Sequence, residues 1–186
     1  MPDLSFSQPE RRNFLVPGII VVVLVACALG YIYFFTPHST AEVQVTHVAY
    51  MPLHTSYETG SKVVGHMNVS EDDIYVLATV RVHNNLSLPI IIKDLTGTLT
   101  PSDGPDITVS AIEKNDLDSV YEALPKLKAM SGPSLLRDIT IAPGATAEGM
   151  VMLDYQATEA IWKQRKSASV TIVLYHQDPI TVPIPQ

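Results

Sequence analysis

The 186-residue sequence contains one cysteine, Cys27, so an intrachain disulfide and a cluster of thiolate metal ligands are both excluded. Basic residues are also few, because 12 lysines and arginines stand against 19 aspartates and glutamates, for a net charge of −7. A nucleic-acid-binding protein needs a surplus of basic residues on one face to neutralise phosphates. The composition therefore predicts no nucleic-acid partner and fits a domain kept dispersed by its own charge.

Motifs that carry catalysis or phosphate binding are absent from the sequence. It has no GxSxG nucleophile elbow, no GxGxxG turn and no GxxxxGK loop. Its six histidines form neither an i, i+4 helical pair nor an HxH strand pair, and no carboxylate stands at ligand spacing beside them. We therefore expect scattered surface histidines, no metal, no cofactor and no enzyme. These histidines are His38, His47, His54, His66, His83 and His176.

Several short polar segments are interpreted as structural. The acidic run at 71–73 could bind a cation, but it directly precedes a predicted strand, where such runs are usually solvated. SDGPD at 102–106 lacks the twelve-residue pattern of a calcium loop and its closing glutamate, so it is expected to be a turn. SGPS at 131–134 is expected to be a loop after a helix. Asn68 and Asn85 begin N-x-S sequences, which would matter only in a eukaryotic secretory pathway.

One long apolar run extends from residue 14 to residue 35 and contains no charged residue. As a helix that rises about 1.5 Å per residue, it would extend about 33 Å, enough to cross a hydrocarbon core of about 30 Å. Tyr31, Tyr33, Phe34 and Phe35 gather at its far end, as aromatic residues do at a membrane–water boundary. The run predicts a single transmembrane helix, so the membrane is one expected partner.

Two other interpretations of this run remain open. RRNFL at 11–15 resembles a twin-arginine export signal, although Glu10 and Val16 stand where that pattern favours a hydroxyl residue and a lysine. LVAC at 24–27 matches the lipobox of bacterial lipoproteins, in which Cys27 would be acylated. Mostly apolar residues, ALGYIYFF, continue after that cysteine to full spanning length. This continuation favours an uncleaved helix over a signal core of about 7–15 residues.

The distribution of basic residues predicts the orientation of the chain. Arg11 and Arg12 directly precede the apolar run, and the next lysine or arginine after it is Lys62. The positive-inside rule then keeps the N-terminus in the cytoplasm and exports the C-terminal domain. The predicted organisation is a cytoplasmic tail at 1–13, a transmembrane helix at 14–35, a linker at 36–40 and an extracytoplasmic, periplasmic domain at 41–186.

The remainder of the chain alternates apolar and polar residues with a period of two, which is typical of half-buried strands. Turn signals separate these runs, at 84–85, 101–106, 142–144 and 178–179. About eight short strands with such spacing predict a mainly β fold, namely an immunoglobulin-like antiparallel β-sandwich. The main alternating runs begin at Ala41, Ile74, Leu95, Met150, Val170 and Ile180.

Two stretches of helical spacing interrupt the strands as short insertions. In the first, at 115–130, Asn115 or Asp116 is expected to be the cap, and Pro125 should break or kink the helix. Its apolar stripe could dock a partner, but packing on the core is the default at this spacing. The stripe comprises Leu117, Val120, Tyr121, Leu124 and Leu127.

The second helical stretch is QATEAIWKQRK at 156–166. It predicts a short helix that packs Ile161 and Trp162 onto an edge of the sandwich. Close to the C-terminus, Pro183 and Pro185 stand beside the last predicted strand. We expect them to guard one sheet edge, because a free edge can bind another strand.

The segment IYVLATVRVHNNLSLPIIIKDLTGTL at 74–99 has Asn-Asn after a long strand and a returning strand that ends in Gly-x-Leu. It resembles the immunoglobulin-like and fibronectin type III-like envelope domains of bacteria. It is also similar to water-stress (late-embryogenesis-abundant-like) domains, in which a proline-containing turn follows a strand that ends at Asn. ITIAPGATAEGMVMLDY at 139–155 is similar to their turn-and-strand hairpin. The resemblance implies a binding or structural module without catalytic residues.

The predicted function is that of a non-enzymatic interaction or structural module of the cell envelope, which contacts another envelope protein. A tether in the membrane plane would raise its effective concentration for membrane-bound partners. The alternative is a membrane-tethered domain that binds a small molecule or glycan in a pocket between the sandwich and the 115–130 helix.

Overall fold

A computed structural model describes residues 15–35, 40–57 and 69–186, and the chain divides into two compact units, Met1–His38 and Ser39–Gln186. The described part of the first unit is one helix, α1 (Leu15–Phe35), of 21 residues. No helix within the described residues is long and apolar enough to cross a membrane. The predicted cytoplasmic tail at 1–13 and most of the predicted linker lie outside the described residues.

The second unit is a β-sandwich, and its described residues form eight strands in two antiparallel sheets. The strands are β1 (Ala41–Tyr57), β2 (Val69–Asn84), β3 (Ile90–Thr100), β4 (Ile107–Ser110), β5 (Thr140–Ile141), β6 (Thr146–Tyr155), β7 (Ser167–Leu174) and β8 (Ile180–Pro183). One sheet has the order β1-β2-β6, and the other has the order β4-β3-β7-β8 with β5 paired to β3. The prediction of a mainly β, antiparallel sandwich is confirmed.

The first two strands are longer than their alternation predicted. β1 continues to Tyr57, and β2 begins at Val69 rather than near Ile74. The pairing of β2 with β6 ends at Ile74, so residues 53–57 and 69–73 pair with each other alone, as a two-stranded ribbon. Residues 53–55 and 71–73 include no buried side chain. A ribbon without a buried face lacks the apolar alternation that marks a strand in sequence.

The main hydrophobic core fills the space between the two sheets. On β2 the inward positions are the alternate residues from Ile74 to Val82, and all of them are fully buried. Burial of each valine or isoleucine in this layer contributes about 1.5–3 kcal/mol to stability. The facing side chains of the other sheet include Ile92, Leu95, Leu99, Val170, Ile172 and Leu174.

A second apolar cluster covers the outward face of the three-stranded sheet. Leu77, Met150 and Met152 of β2 and β6 pack there against two helices, α2 (Lys114–Ala123) and α3 (Pro125–Met130). The helices contribute Leu117 and Leu127, which are buried. The predicted core-facing role of the 115–130 stripe is confirmed. The three-stranded sheet is therefore covered on both faces.

The boundary between α2 and α3 follows the predicted break. Leu124 has φ −128° and ψ 76°, outside the helical region, and Pro125 begins α3. The predicted cap at Asn115 or Asp116 is wrong. The capping position is Glu113, and its side chain makes no capping hydrogen bond. Its carboxylate is instead hydrogen-bonded to the guanidinium of Arg137, from a later segment of the chain.

Two glycines allow other segments to approach β6 closely. A Cβ added at Gly97 of β3 would overlap the hydroxyl of Tyr155 and the side chain of Leu153. A Cβ at Gly149 would lie 2.6 Å from the backbone nitrogen of Leu135. Both glycines are thus required by packing rather than by backbone conformation.

The chain crosses from one sheet to the other at Asn84, which is completely buried. The two N–H groups of its side-chain amide are shared among the carbonyl oxygens of Leu88 (2.8 Å), Ile141 (3.0 Å) and Ala142 (3.1 Å). Its side-chain oxygen accepts a hydrogen bond of 2.9 Å from the N–H of Leu86. One residue thus joins the crossover at 85–89 to the turn between β5 and β6.

Asn84→Asp should lower the free energy of unfolding by about 3 kcal/mol at pH 7, because a buried carboxylate would face carbonyl oxygens that now accept from an amide. Urea denaturation of residues 39–186, which contain both apolar clusters, would measure the change. Asn115→Asp is the matched control at an exposed position of α2 and should shift stability by less than about 0.5 kcal/mol. Equal stability of the Asn84→Asp and wild-type proteins would refute the role of the amide.

Candidate functional site

A cavity of about 420 Å³ opens beside the short helix α4 (Glu159–Lys163), between β1 and the C-terminal residues. No aspartate or glutamate is present among the described residues that line it, although the whole chain is acidic. The ionisable side chains of the lining are those of His47, Tyr50, Lys163 and Arg165, and the lining also includes Pro185 and Gln186. The lining residues that matter here are His47, Tyr50, Trp162, Lys163 and Arg165.

The helix α4 positions the aromatic wall of this cavity. Its first turn is capped by Thr158, whose hydroxyl accepts a hydrogen bond of 3.3 Å from the N–H of Ile161. Trp162 is buried in the main core, and its ring centroid lies 5.9 Å from that of Tyr50. The sequence prediction that Ile161 and Trp162 pack onto the sandwich is confirmed.

Arg165 lies over the tryptophan ring, with its guanidinium carbon 3.9 Å from the ring centroid. Its side chain donates hydrogen bonds to the carbonyl oxygens of Trp162 (2.7 Å) and Pro185 (2.8 Å). Its Nε is buried and has no hydrogen-bond partner among the described residues. No ion pair within those residues involves Arg165. Burial lowers the pKa of this guanidinium.

A second cavity, of about 320 Å³, lies between β3 and the start of α2. It occupies the region where the sequence analysis expected a ligand pocket. The basic side chain of Arg137 lines it, and Arg137 is ion-paired with Asp94 at 2.8 Å and with Glu113. Two carboxylates therefore neutralise the cation at this cavity, in contrast to the arginine beside α4.

A group of acidic residues lies on the outward face of the three-stranded sheet. Tyr75 and Asp154 are cross-strand partners, and the tyrosine hydroxyl donates a hydrogen bond to the carboxylate. Burial, followed by the charge of Asp73, raises the pKa of Asp154 to about 6. Burial and the same carboxylates raise the pKa of Tyr75 to about 12. The prediction that residues 71–73 precede a strand is wrong, because β2 begins at Val69.

The described histidines are distributed over β1, β2 and the turn after β7. His54 nevertheless has a carboxylate neighbour in space, because its Nδ1 lies 2.7 Å from Oδ1 of Asp72. The two are opposite each other in the ribbon, which sequence spacing does not reveal. Within residues 15–35, 40–57 and 69–186, no group of three or more His, Cys, Asp or Glu could hold a metal ion. His38 and His66 lie outside these ranges.

The other predicted segments have structural roles. Residues 102–106 form the turn between β3 and β4, where Gly104 takes a φ of +103°. Residues 131–134 form a loop after α3, as predicted, and the hydroxyl of Ser131 donates to the carbonyl oxygen of Lys128 at 2.8 Å. Asn85 lies in the crossover, and Asn68 lies outside the described residues.

The free sheet edges carry features that hinder pairing with another strand. β1 has a bulge between Val45 and His47 and a proline at position 52. β8 is a four-residue edge strand that contains Pro183, in accord with the expectation that prolines guard this edge. Segment 133–135 lies along β6, where Leu135 donates to the carbonyl oxygen of Met150 at 2.9 Å. Bulges, prolines and covering segments all oppose strand addition.

Three large hydrophobic side chains are exposed around the start of β3 and the end of β7. They are Leu88 (68% exposed), Ile91 (37%) and Tyr175 (43%). A hydrogen bond of 3.0 Å from the N–H of Tyr175 to the carbonyl oxygen of Ile91 places these two residues side by side. We call these three residues the apolar patch.

No protein-family model and no curated protein matches this sequence. Among solved structures, an uncharacterised β-sandwich protein from Clostridium difficile 630 is similar over 80% of this chain and 88% of that chain, with 9% identity and a TM-score of 0.42. A functionally unknown protein from Listeria monocytogenes EGD-e is similar over 77% and 87%, with 13% identity and a TM-score of 0.39. Similarity at this level says nothing about the activity of this chain.

Asp154 should make the fold less stable at neutral pH than in acid. Its pKa in the folded state, about 6, lies above its ordinary value of 3.8. The folded state therefore binds the proton more tightly, and stability falls as pH rises from about 4 to about 6. Asp154→Asn removes this titration and should raise the free energy of unfolding at pH 7.5 by about 1 kcal/mol, since partial exposure screens the effect.

Urea denaturation at pH 7.5 and pH 3.5 would measure this difference, which should become small at the lower pH because the folded state is then protonated and the unfolded state mostly so. Asp103→Asn, in the exposed turn after β3, is the control and should have little effect at either pH. A gain that is the same at both pH values would contradict the assignment of the titration to Asp154.

Proposed function

We propose that this chain is a single-pass membrane protein, with a cytoplasmic N-terminus, that holds an immunoglobulin-like β-sandwich outside the cytoplasmic membrane. There it acts as a non-enzymatic interaction or structural module of the cell envelope. The observation that carries the proposal is an uncharged helix of 21 residues, Leu15–Phe35, that precedes a separately packed β-sandwich. The periplasmic location and the envelope partner are part of the same proposal.

The membrane anchor is supported by the length and composition of the apolar run. A helix of this length extends about 32 Å, close to the hydrocarbon thickness of a bilayer. No helix within the described residues is long and apolar enough to span a membrane. The proposal therefore depends on the whole apolar run from 14 to 35. The structure does not describe the side chains at the two ends of this run. Acylation at Cys27 is the alternative anchor and would leave the domain on the same side.

An immunoglobulin-like arrangement is supported by the course of the chain between the sheets. β2 and β3 are consecutive but lie in different sheets, and so are β6 and β7. Such connections between facing sheets are typical of immunoglobulin-like sandwiches. The helical insertion between β4 and β5 is an addition to that plan.

A protein partner is supported by the apolar patch. Exposed apolar side chains that lie together mark contact sites, and Ile91 of β3 and Tyr175, directly after β7, are neighbours, with Leu88, exposed to 68%, three residues before Ile91 in the chain. Because the edges at β1, β6 and β8 oppose strand addition, side chains of a surface patch are the favoured means of contact. A tether in the membrane plane would raise the effective concentration of this patch for other membrane-bound proteins.

Intact-mass measurement of the protein extracted from membranes tests the anchor. The mass of the full chain is expected, because a spanning helix is not cleaved. Cys27→Ala should leave both the mass, apart from the substitution, and the membrane association unchanged. A protein that begins at a lipid-modified Cys27, or loss of membrane association in the variant, would support the lipoprotein alternative instead.

Photo-crosslinking in intact membranes tests the partner. A photoreactive residue in place of Leu88 should capture a defined envelope protein, and Tyr175→Ser should reduce the yield of that product severalfold by removing part of the patch. The matched control carries the photoreactive residue at Ser102, an exposed position in another turn. Capture of nothing, or of the same species from both positions, would count against the patch as the contact surface.

The alternative function, binding of a small molecule or glycan, is favoured by a specific observation at the cavity beside α4. The cavity beside α4 holds an arginine without an acidic partner, whereas Arg137 at the other cavity is paired with two carboxylates.

A further inference from the structure

We infer that the cavity beside α4 is a binding site for a small organic carboxylate. This inference goes beyond the proposed function and depends neither on the membrane anchor nor on a protein partner. It rests on the buried Arg165, which has no carboxylate partner among the described residues, at the wall of a cavity that no acidic side chain lines.

Burial of the Arg165 cation has a cost in free energy. Arg165 is 8% exposed, and a charge removed from water is normally compensated by an opposite charge. Arg137 follows this rule, since Asp94 and Glu113 both contact it. Arg165 departs from it, because within the described residues its hydrogen bonds go only to backbone carbonyl oxygens.

Arg165 has N–H donors that its two hydrogen bonds to backbone oxygens do not use. A guanidinium carries five N–H donors, and the bonds to the carbonyl oxygens of Trp162 and Pro185 use two of them. Three donors are left, of which the Nε–H is buried, so the two remaining N–H groups on the terminal nitrogens are the ones that a ligand could use. Stacking on Trp162 fixes the plane of the group, so the remaining donors are held in a defined orientation. A fixed guanidinium with free donors is suited to an incoming anion.

The shape of the guanidinium favours a carboxylate as the anion. A carboxylate is planar, carries one negative charge and has two oxygens spaced to accept from a guanidinium fork. One buried arginine supplies one compensating charge, and Lys163 and His47 add positive or polar groups to the lining. Lys163 also pairs with Glu159 at 2.8 Å, but that glutamate does not line the cavity.

The remaining lining and the volume of the cavity indicate the rest of the ligand. Val48 and Tyr50 supply apolar and aromatic surface to the same cavity. The volume, about 420 Å³, lies within the range of about 300–1,000 Å³ that is usual for small-molecule sites. The ligand is therefore a carboxylic acid with a short apolar or aromatic body, in which the acid group meets Arg165 and the body lies against Tyr50.

Trp162 is the only tryptophan of the chain, so its fluorescence reports on this cavity. The full chain, in micelles of an uncharged detergent at pH 7, is titrated with sodium hexanoate, which does not absorb at the excitation wavelength. We expect a saturable change in emission that neither sodium chloride at equal ionic strength nor 1-hexanol reproduces. No saturable response, or the same response to 1-hexanol, would overturn the inference. A response to inorganic phosphate but not to hexanoate would overturn it as well.

Variants separate binding from folding. Arg165→Lys, with folding checked by circular dichroism, should weaken hexanoate binding by about tenfold, because an ammonium cannot form the guanidinium fork. Lys163→Gln, at an exposed position, should weaken it by about threefold through the loss of one nearby charge. The matched control is Lys166→Gln, an exposed lysine that does not line the cavity, and it should leave affinity unchanged.

If Arg165→Lys does not fold, the two lysine variants decide the question. An equal effect of Lys163→Gln and Lys166→Gln would show that binding reflects general charge, and this would overturn the inference.

Discussion

The buried amide of Asn84 is the interaction on which the rest of the sandwich depends, because the chain leaves one sheet and enters the other at this residue. Its side-chain amide is hydrogen-bonded to the carbonyl oxygens of Leu88, Ile141 and Ala142, of which the bond to Ile141 is buried. The crossover and the turn before β6 are thereby held at one corner. From this corner β3 and β6 run into facing sheets, and Gly97 allows them to pack closely.

Charged side chains reinforce this frame in two different ways. Arg137 links β3 to the start of α2 by pairing with Asp94 and Glu113, which explains why Glu113 does not act as a side-chain cap. Arg165 instead joins α4 to the C-terminal segment through carbonyl oxygens and stacks on Trp162. The first arginine is ion-paired with two carboxylates in a structural cluster, whereas the second lies at the wall of a cavity without a carboxylate partner among the described residues.

Local patterns predicted much of the fold, whereas the candidate site depends on residues distant in sequence. Alternation identified the two-sheet architecture, and Pro125 marked the break between the helices, because each signal acts within a few residues. The ribbon of residues 53–57 and 69–73 was not predicted, because neither of its faces is buried. Tyr50 and Trp162 meet through the tertiary fold, so no spacing rule brings them together. The spacing of Trp162 and Arg165, three residues apart beside a short helix, was the one local signal of a stacked pair.

The two sheets differ in how they are covered, and this difference ranks their resistance to local opening. β2 lies between β1 and β6, with the main core on one face and the layer of α2 and α3 on the other. β4 and β8 are four-residue strands at the margins of a sheet whose outer face is partly exposed to solvent. Opening should begin at those margins and in the ribbon, and the amide hydrogens of β2 from Ile74 to Val82 should exchange with solvent last, close to the rate of global unfolding.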